Sequence, residues 1–190
     1  MTSTPLPRAR PNGWYGMLIL VATESAIFGT LLATYAYLRF RDPSWPPPGV
    51  APPSVTAPLV LALVPVAASV PMGIASRTAR LRRAGPLVAP IVLATLVQIA
   101  YLAFQVHLFS DDLARFSPRD SAYGSIYFTV LAVHHAHVAA GILLDCWLIA
   151  RVRTGLTEYR RTAVMAIALY WYFVSLAGLA VTATILSPAW

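Results

Sequence analysis

The chain has 190 residues, 58% of them apolar, with a mean hydropathy of +0.66 and only 11% charged residues. Soluble domains run nearer half apolar and a quarter charged, so lipid is the solvent for most of this chain. The formal charge of +7 comes from 14 basic residues, every one an Arg, against 7 acidic ones. These Arg stand in short blocks between apolar runs rather than on one soluble face, which argues against nucleic acid as a partner.

A membrane-spanning helix needs about 20 apolar residues to cross roughly 30 Å of hydrocarbon. The first run that qualifies covers about 14–38 and carries one acidic residue, Glu24. The segment before it lacks the apolar core of a signal peptide. A Pro-rich stretch over 39–54, RDPSWPPPGVAPPS from Arg41 to Ser54, is expected to lie extended across the outer surface. Trp45 in this stretch and Trp190 at the end suit an outer interfacial belt, and Trp14 and Tyr15 an inner one. The second run, about 55–76, contains Pro65 and Pro71, which predict kinks. The third, about 87–109, brings Gln98, Gln105 and, near its outer end, His107. The fourth, about 123–149, holds His134, His135, His137, Asp145 and the single cysteine, Cys146. One cysteine allows neither an internal disulfide nor a Cys-based metal site. The fifth run covers about 162–186. The fold class is therefore all-α, a single integral membrane bundle of five transmembrane helices.

Orientation follows from the Arg count in the connections. The N-terminal tail and the second and fourth connections hold 10 Arg, among them Arg80, Arg82 and Arg83, while the opposite side holds 4. The N-terminus is expected inside and the C-terminus outside. Small residues such as Gly29, Ala33, Gly141 and Gly178 read as helix-packing positions.

A charge inside a span is costly and faces protein or a water path. Glu24 lies roughly 15 Å from the inner end of its helix, and His137, on a helix running the other way, roughly 18 Å from the same end, at 1.5 Å per residue. The expected pairing is Glu24 with a histidine of the fourth helix, His137 first. His134 shares its helix face, three residues apart, whereas His135 points about 100° away. Such a pair is either a polar clasp between helices or a proton-handling element. The clasp is the plainer reading, because one carboxylate and one imidazole do not make a pathway. Metal or haem ligation is not expected here: the usual sites take three or four ligands, and His107 lies far from the other histidines. Asp145 is expected to reach Arg151 or Arg153 only by snorkelling, or to face a neighbouring chain.

Taken together, the motifs resemble those of subunit III of haem–copper cytochrome c oxidases, in the short five-helix bacterial form, over nearly the whole chain. The first helix reads Trp14-Tyr15-Gly16-Met17, then Glu24, Phe28 and Tyr35, with Thr23 where the family has Ser. Trp45-Pro46-Pro47-Pro48-Gly49 is similar to the family's W-P-P-x-G. Gln105 is kept from F-x-x-x-Q-x-x-E, but the Glu position is Leu108. Tyr123-Gly124-Ser125 and Phe128 precede His134, His137, Val138 and Gly141, which resemble H-G-x-H-V-x-x-G with His135 in place of the middle Gly. Tyr170-Trp171-Tyr172-Phe173-Val174 resembles Y-W-H-F-V-D, with the His and the Asp replaced by Tyr172 and Ser175.

The resemblance implies a non-redox accessory subunit of a terminal oxidase in a bacterial cytoplasmic membrane. It implies no haem or copper in this chain, those cofactors belonging to partner subunits. It also implies packing against subunit I and other oxidase subunits, bound phospholipid, and support of proton uptake. Glu24, His134 and His137 then fall in the lipid-cleft region, and Arg80, Arg82 and Arg83 become candidates for lipid headgroups. A subunit-III-like partner of a nitric oxide reductase remains open, as does membership of a respiratory supercomplex. An independent transporter fits less well, since the chain shows no repeat and one deep charge.

Overall fold

A computed structural model describes residues 12–51, 55–81 and 87–187. Five α-helices account for nearly all of them, and no strand occurs among the described residues. They are α1 (Asn12–Arg41), α2 (Thr56–Arg80), α3 (Val88–Arg115), α4 (Ala122–Val152) and α5 (Glu158–Leu186). Each is long and apolar enough to cross a membrane, so the chain is a multi-pass membrane protein. Helix is the expected state of such runs, because lipid offers no partner for an unpaired peptide group.

The helices outrun the apolar runs. α1 continues to Arg41, so the irregular Pro-rich segment begins at Asp42 rather than at residue 39. α3 adds a turn and a half through Ser110, Asp111, Asp112 and Arg115. At about 1.5 Å per residue, 28 to 31 residues exceed the hydrocarbon thickness, which leaves length for these charged turns beyond it. Caps set two of the starts. The Ser121 hydroxyl accepts the Gly124 N–H (3.1 Å) at α4, and that of Thr157 accepts the Arg160 N–H (3.3 Å) at α5. α2 runs as one helix through Pro65 and Pro71. The Pro65 carbonyl accepts hydroxyls from Ser69 (2.8 Å) and, across the interface, Ser175 of α5 (3.1 Å).

Helices α2, α3, α4 and α5 form a closed ring, each packing on the next, with α5 returning to α2. α1 lies outside this ring over the α4–α5 seam, and its backbone does not closely approach α2 or α3. α5 is accordingly the most enclosed helix and α1 the least. The chain rises and falls, so Arg161 of α5 donates to the Ala79 carbonyl of α2 (3.2 Å) at the Arg-rich end. At the other end, Arg39 of α1 donates to the Ser187 hydroxyl (2.6 Å).

The loop after α1 is pinned rather than merely spread over the surface. The Trp45 indole N–H donates to the Tyr35 hydroxyl (3.1 Å), and the ring stands edge-on to Tyr35 and to Tyr123 of α4. Trp45 is thus a strap between α1 and α4, where the sequence suggests a belt residue. Trp190 lies outside the described residues.

Candidate functional site

Glu24 and His137 meet where α1 crosses α4. Oε2 of Glu24 lies 3.0 Å from Nε2 of His137, with side chains 22% and 16% exposed. The other ring nitrogen, Nδ1, is 2.7 Å from the Val133 carbonyl one turn back, which can only accept. Nδ1 therefore carries a proton, and the bond between Nε2 and Oε2 needs a second. The pair holds it as imidazolium and carboxylate or as imidazole and carboxylic acid. Either way its net charge is zero, which is the form a low-dielectric setting favours. The Phe28 and Phe173 rings stand edge-on to His137, and the Tyr170 hydroxyl donates to its carbonyl (2.9 Å). The imidazole is fixed from three helices.

His134 shares the face of α4 by spacing but turns the other way, into the ring. Its Nε2 is 3.2 Å from the Tyr101 hydroxyl, which accepts from the Gln105 amide (2.9 Å). The Tyr101 hydroxyl thus stands between Gln105 and His134 and links α3 to α4. The ring fits because α5 offers Gly178, where a Cβ would stand 2.8 Å from the imidazole Cε1. His134 and His137 are thus separate positions, with Phe28 edge-on to both. His135 faces α3, with Phe109 edge-on at 5.5 Å, and its buried Nε2 has no hydrogen-bond partner among the described residues.

Asp145 corrects the sequence reading. It is fully buried inside this chain, bonded to donors there rather than to Arg151, Arg153 or a neighbour's surface. Its Oδ2 accepts from Trp171 Nε1 of α5 (3.0 Å) and lies 3.3 Å from the Thr95 hydroxyl of α3. Gln98, also fully buried, is satisfied when its amide nitrogen faces Oδ2 (3.0 Å) and the Ala94 carbonyl (3.2 Å), and we assign it so. One turn before Asp145, Gly141 makes room for the same indole; a Cβ there would lie 2.6 Å from Cζ2 of Trp171. The only legible trace of this cluster is Gly141 and Asp145 at i, i+4 on one helix face. Nothing in the periodicity says which helix supplies the donors.

At the Arg-rich end, Arg80 and Arg77 line an open hollow of about 530 Å³ with Trp14, Ser76 and Tyr172, between α1, α2 and α5. Arg82 and Arg83 lie outside the described residues. His107 stays at the far end of α3, 3.7 Å from Asp111 and largely exposed. Among the described residues, no three His, Cys, Asp or Glu side chains converge as metal ligands would.

The architecture defines a helical membrane protein in which Glu24–His137, Tyr101–His134 and the Asp145 cluster tie helices together. A family model described as cytochrome c oxidase subunit III matches residues 11–186. The chain is 28% identical over 172 residues to the cytochrome bo(3) ubiquinol oxidase subunit 3 of Pseudomonas aeruginosa, covering 90% of this chain and 82% of that one. It is 25% identical over 161 residues to a probable quinol oxidase subunit 3 of Staphylococcus haemolyticus and 26% to one of Staphylococcus aureus. Each of these covers 84% of this chain and 80% of the relative. The chain belongs to the cytochrome c oxidase subunit III family of haem–copper oxidases, and as such associates with other oxidase subunits in a complex.

Proposed function

We propose that the chain is the non-redox accessory subunit III of a proton-pumping haem–copper terminal oxidase in a bacterial cytoplasmic membrane. It stabilises the catalytic subunit I, binds phospholipid and supports proton uptake. The family match over nearly the whole chain carries this reading. Haem and copper then sit in the partner subunits. Purifying the tagged chain from native membranes in mild detergent tests it. A haem–copper large subunit is expected to come with it, and a preparation without one overturns the proposal.

The lipid part draws on two features. Arg80 and Arg77 beside Trp14 suit a phosphate headgroup at an interface, with the adjoining hollow open to an acyl chain. Glu24 and His137 provide a neutral, partly buried polar pair where α1 crosses α4. In both cases the Arg-rich end is taken as cytoplasmic, by the Arg count.

A second reading concerns the electron donor. The family model's description names cytochrome c, whereas the relatives' names specify ubiquinol or quinol. The relatives favour a quinol-oxidising complex. Oxygen uptake by the purified complex with a reduced quinol and with reduced cytochrome c distinguishes the two.

A further inference from the structure

We propose that the Arg-poor end of the bundle opens into a water-filled inlet that reaches the imidazole of His135. Two hollows lie end to end there. The outer one, about 390 Å³, sits beneath the strap segment and is bordered by Val50, Asp111, Arg115 and Tyr123. The inner one, about 60 Å³, is bordered by Gln105, Phe109, His135 and Thr182. Pro58, Leu108, Asp112 and Tyr127 line both, so the two adjoin at the Asp112–Tyr127 pair.

Burial and chemistry point to water as the occupant. Nε2 of His135 is buried without a hydrogen-bond partner among the described residues. A buried polar nitrogen left bare is costly, and a water bound to it removes that cost. A water needs about 10–15 Å³ of such space and two to four polar partners. The inner hollow has the volume for several, and His135, Gln105, Thr182 and Asp112 are the polar side chains in an otherwise largely apolar lining. At the neck, the Tyr127 hydroxyl donates to Asp112 Oδ2 (2.6 Å), and Asp112 Oδ1 lies 3.8 Å from Arg115. The throat is therefore polar where it passes from the charged end of α3 into the span. Gln105 also begins the Gln105–Tyr101–His134 chain, so water in the inlet joins a hydrogen-bonded line that ends deep inside the ring. The inlet is blind: beyond His134 stand Gly178 and Phe28.

Cysteine accessibility in the native complex tests this. In a Cys146→Ser background, single cysteines are placed as His135→Cys and Thr182→Cys, with lipid-exposed Leu143→Cys as the apolar control. Arg119→Cys marks the Arg-poor face and Arg153→Cys the Arg-rich one. Sealed right-side-out and inverted vesicles are treated with a small, charged, membrane-impermeant methanethiosulfonate. Positions 135 and 182 are expected to react from the same face as 119, with 143 silent from both. No reaction at 135 and 182 in assembled complex, or reaction from the face of 153, overturns the inlet. Should His135→Cys fail to assemble, Thr182→Cys carries the test alone.

Discussion

The indole N–H of Trp171 on α5 points at the Asp145 carboxylate on α4, 3.0 Å away, and both side chains are almost wholly buried. The bond fastens the most enclosed helix of the ring to its neighbour. Asp145 also gathers Gln98 and Thr95 from α3. One carboxyl group thus ties three helices, and its neighbours supply hydrogen bonds rather than a cation.

Trp171→Phe keeps most of the ring's bulk but removes the donor. Leaving a buried acceptor short of a partner costs about 1–3 kcal/mol. The thermal midpoint of the complex in detergent, read as release of this subunit, is expected to fall. Asp145→Asn retains an acceptor for Trp171 and is expected to fall less. An equal or larger loss in Asp145→Asn than in Trp171→Phe contradicts this arrangement.

Gly141→Ala and Gly178→Ala place a methyl group 2.6 Å from the Trp171 ring and 2.8 Å from the His134 ring. Overpacking of this kind costs about 1–3 kcal/mol. Gly29→Ala meets nothing within 4 Å in this chain and serves as the comparison. In the purified subunit, the first two changes are expected to lower the unfolding midpoint. Gly29→Ala is expected to hold or raise it, since Ala is the better helix former by about 1 kcal/mol.

Glu24 and His137 are expected to couple across α1 and α4. In a double-mutant cycle of Glu24→Ala and His137→Ala, the coupling energy should be about 0.5–2 kcal/mol, the range of interhelical hydrogen bonds in membranes. Glu24→Gln should lose less than Glu24→Ala, because the amide can still donate to Nε2. A complex that assembles unchanged with Glu24→Ala rules out the clasp.

Trp45→Ala removes both the bond to Tyr35 and the edge contacts on Tyr35 and Tyr123. The segment after α1 should then be cut faster by protease added from the Arg-poor side, with the five spans left intact. Trp45→Phe keeps a ring but no N–H, and should fall between the two.

Hydropathy alone made five helices legible, because a lipid solvent leaves a long apolar run no other backbone state. The Glu24–His137 meeting was legible too, since depth along antiparallel helices is simple arithmetic at a fixed rise per residue. Helix ends were less so: Asp111, Asp112 and Arg115 read as loop by polarity, yet they continue α3 because nothing in them breaks a helix.

What only the tertiary structure decided is which helices touch. Closing α2 to α5 into a ring, with α1 outside, sends His134 inward while His137 turns out toward Glu24. The same packing buries Asp145 among donors from α3 and α5. A sequence fixes the height and approximate facing of each side chain on its own helix. The azimuth of one helix about another depends on close fits such as Gly141 on Trp171, which involve residues far apart in the chain.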